Sequence, residues 1–405
     1  MYSYSQNSST IRNIAFFFCG LYVCFCDNLA IPKAVSLACL LPCLYYIYSS
    51  YFFEEHKSLC VEGTLFIKWY GLFILFICVS SLWSPNSMYS SNNSTETTFF
   101  VFKRILNVFV ITLIYNQLKP TVNDFYVTLK GVFIGTLIGC IIGLLVEKNA
   151  IGITRIGGMS YGAGTAFGNV ADFGIGLSLL FMYKESKIWS YAPLLMFFFF
   201  VIIISGSRQP LVCAVIYVSV IKLFRERKNI LSYISFFIFS LVVVTVVFYL
   251  VMNVDFFYDM LGYRFESILN HDDASDTERM IMRSYAMELF FENPIAGVGV
   301  HGFATLFGQW YGWRVWSHCG YTEILSCYGI IGFILYYRFY LQGLFNKIFG
   351  LNNRLLSAFF LAILLNITFT DLFHPVFLDV RSMFFFGLIL QPYTNSEVNR
   401  YKMLR

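Results

Sequence analysis

The residues best suited to chemistry lie in one polar segment, residues 279–332. Arg279 and Arg283 stand four positions apart, so on a helix both guanidinium groups lie on one face. His318 and Glu323 follow at the start of an apolar run. A planar guanidinium fork suits phosphate oxygens, and an imidazole that is mostly neutral at about pH 7 accepts a proton from an attacking hydroxyl. The segment therefore predicts a site for an anionic substrate.

Two further polar segments interrupt apolar sequence. Residues 205–210, SGSRQP, place Arg208 between two apolar runs, and the small neighbours allow close backbone approach. Residues 371–381 hold His374 and Arg381 beside two aspartates. A charge held in apolar surroundings is costly unless a partner or ligand uses it. Both segments are candidate binding sites, although ion pairing within 371–381 is an equally open interpretation.

The elements that must position these residues are membrane spans. The chain has 405 residues, of which 58% are hydrophobic, 20% aromatic and only 13% charged, and its mean hydropathy is +0.66. Soluble domains carry about 25% charged residues. The composition therefore predicts an all-α, polytopic integral membrane protein.

Twelve apolar runs are long enough to cross a hydrocarbon core of ~30 Å, which takes roughly 17 to 25 residues. They lie at 13–31, 34–53, 64–83, 99–116, 124–146, 168–184, 188–204, 209–224, 230–252, 319–341, 355–372 and 375–391. We therefore expect about twelve transmembrane helices in a single membrane-embedded domain, residues 1–405. One large loop, residues 253–318, separates spans 9 and 10.

The distribution of Lys and Arg predicts the orientation. With a cytoplasmic N-terminus, one set of connections carries half of the 28 basic residues: Lys57, Lys119, Lys184, Lys187, Lys222, Arg225, Arg227, Lys228, Arg338, Lys347, Arg354, Arg400, Lys402 and Arg405. The connection 84–98 on the opposite side has no Lys or Arg. Both termini are then cytoplasmic, and the loop 253–318 faces the other side.

The large loop is predicted to contain a helix over 276–292 that lies at the membrane interface. Asp276 or Thr277 can cap its start, and Asn293 with Pro294 ends it. Gly297, Gly299 and Gly302 then suggest a flexible turn.

Several aromatic residues lie beyond this turn, together with Arg314 as a further candidate cation. Trp310, Tyr311, Trp313 and Trp316 either anchor in lipid headgroups or stack on sugar faces. The sequence leaves both interpretations open.

No motif indicates a metal, a cofactor or nucleic acid. The chain has 11 Cys, mostly inside apolar runs, without a CxxC pair or metal-ligand spacing. Its net charge of +5 is explained by the basic loops that set orientation. We therefore expect no cofactor, no bound metal and no nucleic-acid partner.

Four stretches carry a resemblance to a known family: SGSRQPLVCAV, RMIMRSYAMELFFENPIAGVG, HCGYTEILSCYGIIGFILYY and TDLFHPVFLDVRS. In order, spacing and predicted membrane side, they resemble the bacterial O-antigen polymerase and O-antigen ligase superfamily of polytopic glycosyltransferases. The resemblance covers about 200–390, with SSLWSPN at 80–86. Where the family often has His-Asn or His-Ser before an aromatic residue, this chain has His318-Cys319-Gly320-Tyr321.

The resemblance implies a glycosyltransferase at the periplasmic face of the bacterial inner membrane, acting on undecaprenyl-diphosphate-linked oligosaccharide. It maps catalytic roles onto Arg208, Arg279 and His318. The groups expected to bind substrate in support are Arg283, Arg314, Arg381, Glu323 and His374. Glu323 has two open roles, to orient the imidazole or to stabilise the fold.

Two activities in this superfamily differ in the acceptor. A polymerase transfers the growing glycan onto a lipid-linked repeat unit, whereas a ligase transfers the finished glycan onto lipid A-core. The SGSRQ loop and the CYGIIGFILYY run favour a polymerase, with membrane lipids and a chain-length regulator as further candidate partners. A flippase is a less favoured interpretation, since such folds commonly show internal repeats and we find none.

Overall fold

A computed structural model of the chain describes residues 2–53, 65–85, 98–151, 156–226, 248–263, 266–267, 274–344 and 353–391, with 234, 238, 241 and 245 as isolated positions. Within this described part the regular structure is helical, without a strand. The predicted all-α class is thus confirmed. The predicted ninth span and the connection 84–98 lie mostly outside the described residues.

Sixteen α-helices follow one another along the described chain. They are α1 Tyr2–Phe25, α2 Lys33–Ala38, α3 Leu41–Phe53, α4 Leu65–Ser80, α5 Thr98–Gln117, α6 Val122–Val146, α7 Gly158–Tyr161, α8 Gly164–Glu185, α9 Ile188–Ile204, α10 Arg208–Glu226, α11 Asp255–Phe257, α12 Ala274–Glu292, α13 Gly302–Tyr311, α14 Gly320–Gly343, α15 Arg354–Thr370 and α16 Val380–Leu390. Short turns of other helix types lie at Lys148–Ala150, Tyr258–Gly262 and Val376–Leu378.

Four of these helices, α5, α6, α8 and α14, are long and apolar enough to cross a membrane. Shorter apolar helices lie at Ser9–Phe25, Leu65–Ser80, Ile188–Ile204, Arg354–Thr370 and Val380–Leu390. Helices suit this environment because they satisfy their own backbone hydrogen bonds. The chain is therefore an integral membrane protein, and the total of about twelve spans stays a prediction.

Small residues allow the first helices to pack closely. A Cβ added at Gly20 of α1 would collide with the backbone of Thr128 and Val132 in α6, and one at Gly131 would collide with Phe17. Transmembrane helices commonly use such small residues because lipid supplies no hydrophobic drive for association.

Basic side chains form contacts at one end of the helix bundle. Arg12 of α1 pairs with Asp124 at 2.6 Å, and Lys130 of α6 pairs with Glu185 at 2.9 Å. The Arg12 guanidinium also donates to the carbonyl of Lys119 at 2.9 Å. The start of α6, the end of α8 and the connection between α5 and α6 therefore meet at the end that the basic loops predict to be cytoplasmic.

The opposite ends of these helices meet the loops that carry the predicted site. Leu29 N–H donates to Ser160 O at 2.7 Å, and Gly320 N–H donates to Asp371 O at 2.6 Å. The Ser207 hydroxyl lies 3.1 Å from that of Thr165. These contacts join the loop before α2 to α7 and the loop before α10 to α8, and they join the start of α14 to the loop after α15. This end of the helices is called the site end below.

Helix α14 is interrupted at Gly329, whose φ of 60° and ψ of −163° are open essentially only to glycine. The backbone groups released by the break bond to residues after α12. Ile330 N–H donates to Pro294 O at 2.9 Å, and Val298 N–H donates to Ser326 O at 2.9 Å. The break is thus satisfied internally, as a membrane environment requires.

The docked segment, residues 294–299, is also fixed from α4. Trp83 Nε1 donates to Gly297 O at 3.1 Å, and the Ser84 hydroxyl donates to Val300 O at 2.6 Å. A Cβ at Gly299 would collide with the Ser80 carbonyl and Ser84. The flexible turn expected from these glycines is instead a hydrogen-bonded segment, and SSLWSPN is the sequence that holds it.

Candidate functional site

Helix α12 presents the first two cations of the site. The predicted helix 276–292 is observed as Ala274–Glu292, while its place at a membrane interface stays a prediction. Arg279 and Arg283 lie one turn apart, and both are half-buried. Residues four apart in a helix share a face, so the two guanidinium groups lie together.

Arg283 ties α12 to two loops of the site end. Its Nη2 donates to Leu372 O at 2.8 Å and reaches His318 O at 3.5 Å. Its guanidinium carbon lies 5.9 Å from the centre of the Phe373 ring. The residue therefore holds the His318 loop and the loop after α15 against one helix.

The backbone at His318 has a left-handed φ of 54°, which costs free energy in a non-glycine residue unless the surroundings fix it. Hydrogen bonds on both sides fix it here. Ser317 N–H donates to Glu323 Oε2 at 2.7 Å, and Gly320 N–H donates to Asp371 O at 2.6 Å. Two acidic residues thus position the histidine through the backbone.

Glu323 is fully buried in α14 and acts on the loop before it. Besides the Ser317 bond, its Oε1 lies 3.6 Å from the Cys327 thiol. Of its two predicted roles, the geometry supports positioning of the loop, through the residue before His318. A buried carboxylate with these partners has no surface to offer a substrate.

Asp371 fixes the turn between α15 and α16. Its side chain accepts hydrogen bonds from the Tyr337 hydroxyl at 2.6 Å, the Tyr340 hydroxyl at 3.1 Å and Val376 N–H at 3.0 Å. Burial raises the pKa of Asp371 to about 6, although these donors act in the opposite direction. Gly320 lies so close to the carboxylate that an added Cβ would collide with it.

The electrostatics at His318 favour a neutral imidazole. Burial, followed by Arg279, His374 and Arg283, lowers the pKa of His318 to about 4. The neighbours that lower this pKa are two arginines, which are cations, and His374, which becomes a cation when it is protonated. A neutral imidazole can accept a proton, and the surrounding positive charge suits an anionic ligand.

Arg208 begins α10 at the site end, where it is half-buried. The contacts that fix this helix are with α8 and α15: a Cβ at Gly168 would collide with Pro210, and the Cys213 thiol lies 3.7 Å from the Thr370 hydroxyl. Arg208 precedes Cys213 by five residues, or roughly 7.5 Å along the helix. This brings it to the level of the loop after Thr370, and its role beside Arg279 stays a prediction.

The third predicted group lies together around α16. Arg381 is 5% exposed, and its Nε lies 3.6 Å from Asp379 Oδ1. Burial lowers the pKa of His374, as do Arg104 and Arg381, whereas Asp379 opposes them. The His374 side chain is exposed to solvent, although the protein atoms around it reduce its solvation. The open alternative of ion pairing within 371–381 holds for Arg381 and Asp379.

Arg314 and the aromatic residues surround α13. A Cβ at Gly308 would collide with the Arg314 side chain, which places that arginine against the helix. Tyr311 stacks on Phe307 at 4.4 Å, while Trp310 is 76% exposed. These positions fit both headgroup anchoring and sugar stacking.

Residues 193–337 match the Wzy_C family, described as O-antigen ligase. The match confirms the predicted resemblance to the O-antigen polymerase and ligase superfamily. The O-antigen ligase match includes Arg208, Arg279, Arg283, Arg314 and His318 but ends before His374 and Arg381. No curated protein and no solved structure matches the chain.

Sequence reasoning missed two residues of the site end. Arg104 of α5 forms an ion pair with Asp27, which follows α1. The available signal was an arginine inside the predicted span 99–116, since such a charge requires a partner.

Proposed function

We propose that this protein is an O-antigen polymerase, which transfers the growing glycan from undecaprenyl diphosphate onto a lipid-linked repeat unit. The observation that carries the proposal is the placement of a neutral His318 beside the cations Arg279 and Arg283, on a loop fixed from both sides. The reaction belongs at the periplasmic face of the bacterial inner membrane, because the connections rich in Lys and Arg are predicted to face the cytoplasm.

The chemistry follows from the groups at the site. A hydroxyl oxygen of the acceptor sugar attacks C1 of the donor, and the bond from C1 to the diphosphate oxygen breaks with its electron pair on the leaving diphosphate. His318 accepts the hydroxyl proton. Arg208 and Arg279 neutralise the charge that develops on the diphosphate, and direct attack inverts the anomeric configuration.

The remaining residues support this step from different positions. Arg283 and Glu323 position the His318 loop by the hydrogen bonds described above, and the free N–H groups of Arg283 remain candidates for substrate contact. Arg314, His374 and Arg381 are the other proposed substrate-binding residues. The reaction requires neither a nucleotide nor a redox group, because the diphosphate is already a good leaving group.

The preference for polymerase over ligase rests on the SGSRQ loop and the CYGIIGFILYY run, which resemble polymerases more closely. A ligase would use the same donor chemistry with lipid A-core as acceptor. A flippase is disfavoured because the candidate groups gather at one end of the bundle, whereas transporter sites commonly lie near the midplane.

The lipopolysaccharide of a deletion strain separates these functions. Loss of a polymerase leaves single-repeat caps on lipid A-core. Loss of a ligase leaves lipid-linked polymer but no attached glycan, and loss of a flippase removes even the single repeat. On a gel, normal lipopolysaccharide gives a ladder of bands. If wild-type protein restores this ladder in the deletion strain and the Arg279→Ala variant does not, the phenotype depends on this site.

A further inference from the structure

A second cluster of polar groups lies beside the His318 site and differs from it in charge. Arg104 of α5 is paired with Asp27, and Arg381 of α16 lies 3.6 Å from Asp379. The formal charges of these four residues cancel. The charged neighbours of His318, by contrast, are Arg279, Arg283 and His374.

This second cluster contains hydrogen-bond donors that the fold does not use. Within the described part of the chain, Arg381 Nη1 has no hydrogen-bond partner. Arg381 Nε and Asn28 Nδ2 also lack one within hydrogen-bond distance, although Asp379 Oδ1 lies 3.6 Å from Arg381 Nε. Arg381 is 5% exposed and Asn28 is fully buried. Buried donors without partners destabilise the fold, so native proteins rarely retain them. These donors are enclosed by protein atoms, so a ligand rich in oxygen acceptors reaches them only through the groups beside them.

An aromatic ring completes the cluster. The Arg381 guanidinium carbon lies 5.7 Å from the centre of the Tyr161 ring. The Tyr161 hydroxyl lies close to Asn28, since a Cβ added at Gly139 would contact both side chains. The cluster therefore combines cationic and anionic side chains with an amide, a hydroxyl and an aromatic ring.

Solvent reaches this place from the site end. The Arg104 side chain is 25% exposed and the Asp379 side chain 17%, and His374 beside them is exposed. The buried donors are therefore adjacent to groups that a water-soluble ligand can reach.

The balance of charge indicates the ligand class. A diphosphate suits a site with excess cations, whereas a sugar hydroxyl both donates and accepts hydrogen bonds and carries no charge. A site with a few placed polar groups beside an apolar or aromatic surface is typical for a small polar ligand. We propose that Asp27, Asn28, Arg104, Tyr161, Asp379 and Arg381 form a subsite for a sugar residue of the acceptor glycan. This inference rests on the proposed glycosyl transfer.

The order of residues assigns the subsite to the acceptor. Arg283 donates to Leu372 O at 2.8 Å and reaches His318 O at 3.5 Å, and the loop that begins at Leu372 continues to Asp379 and Arg381. Arg279 and Arg283 lie near His318. The loop after α15 thus connects the cations beside His318 to the subsite, and this connection suits an acceptor hydroxyl that reaches His318 from the subsite.

Two probes, bound to full-length protein in lipid nanodiscs, test whether the acceptor sugar and the diphosphate bind at separate places. The first is the repeat-unit oligosaccharide, released from its lipid carrier and free of phosphate, and the second is inorganic pyrophosphate. We expect Arg381→Lys and Asp379→Asn to weaken oligosaccharide binding by about tenfold or more, and to leave pyrophosphate binding unchanged. Arg279→Ala should show the opposite pattern.

Two further variants are controls that separate a loss of binding from a loss of structure. Tyr161→Phe removes only a hydroxyl, so it should fold and weaken oligosaccharide binding by a smaller factor. Arg12→Lys alters a half-buried Arg–Asp pair at the other end of the bundle and should change the binding of neither probe.

The proposal is overturned if wild-type protein does not bind the oligosaccharide, or if folded Arg381→Lys and Tyr161→Phe bind it as wild type does. Loss of pyrophosphate binding in Arg381→Lys would overturn it in favour of an anion site. Failure of the proposed function is distinguished separately, because wild-type protein would then fail to restore the lipopolysaccharide ladder whatever the binding results.

Discussion

At the scale of single residues, the site depends on how the surroundings change the properties of each ionisable group. Burial and neighbouring cations lower the pKa of His318 to about 4, so the imidazole is neutral over the physiological range. Burial raises the pKa of Asp371 to about 6. The first group is left free to accept a proton, while the second is occupied by hydrogen bonds from tyrosine hydroxyls.

The shift at His318 predicts the pH dependence of the reaction. Only the neutral imidazole accepts a proton, so activity falls as pH decreases through the pKa of the group. For the free enzyme, kcat/KM should therefore hold down to about pH 5 and fall near pH 4, where an unperturbed histidine would give a fall near ~6.5. A bound diphosphate offsets the nearby cations, so the fall in kcat should lie at higher pH. Steady-state rates from pH 3.5 to 8 test this, and a kcat/KM profile with its fall near the unperturbed value contradicts it.

The guanidinium groups carry a second prediction. Arg208→Lys and Arg279→Lys keep the charge and lose the planar fork, so a diphosphate clamp predicts a large loss of transfer activity at normal expression. Arg283→Lys should be milder, since an ammonium can still donate to one of the two carbonyls that Arg283 contacts. Polymer length on gels from complemented deletion strains provides the measurement. Full activity in the lysine and alanine variants of both Arg208 and Arg279 would refute the clamp.

At the scale of elements, the interrupted helix α14 and the docked segment 294–299 hold the site together. The segment joins the end of α12, which carries the cations, to the helix that begins just after His318. A shift of either element would separate Arg279 from the histidine. The structural cost is a backbone conformation at Gly329 that other residues adopt only under strain.

Gly329→Ala therefore tests this connection. Its Cβ would collide with Ile295 O and Ala296 N, and its φ and ψ are unfavourable for alanine. We expect a loss of about 2 kcal/mol or more, seen as a lowered melting temperature of the detergent-solubilised protein, together with reduced activity. Gly343→Ala in the same helix is the matched control, because its Cβ meets only an ordinary contact at 3.6 Å. Equal stability of the two variants would contradict the assigned role of the break.

Sequence patterns predicted the helices better than the connections between them. Apolar runs located α5, α6, α8, α9, α14 and α15 to within a few residues, because a span must satisfy its backbone within itself. The break in α14 was not predictable from CYGIIG alone, since the glycine acts only with residues 294–299 in place. The same limit applies to Asp371, whose partners Tyr337 and Tyr340 lie more than thirty positions away along the chain.

Arg279, Arg283 and His318 were predicted as a group and lie together, whereas other expectations changed with the contacts. Glu323 acts on Ser317 N–H and not on the imidazole. Arg381 lies beside Asp379 and Tyr161, apart from the α12 cations. Such pairings depend on which loop ends meet, and one sequence does not contain that information.

At the scale of the whole molecule, the candidate site occupies one end of the bundle and has charged residues of its own. The contacts of Arg12 and Lys130 form at one end of the bundle, and the loops of the site meet at the other. The orientation inferred from the basic residues, with both termini cytoplasmic, stays a prediction.

Reporter fusions test the orientation directly. A phosphatase fused within 84–98 or 255–317 should be active, because both connections are predicted to be periplasmic, and one fused within 222–229 should be inactive. A fluorescent reporter that folds only in the cytoplasm should show the reverse pattern. Opposite labelling would move the proposed catalytic groups to the cytoplasmic side and exclude polymerisation at the periplasmic face.

The most direct test of the central claim is the rate of glycan extension by purified His318→Ala with a defined lipid-linked repeat unit. A general base typically contributes about 10² to 10⁴-fold. The variant should therefore insert in the membrane, bind the lipid-linked donor as wild type does and extend chains slower by about that factor. Near-normal extension by His318→Ala would contradict the assignment of the base and, with it, the mechanism proposed for this site.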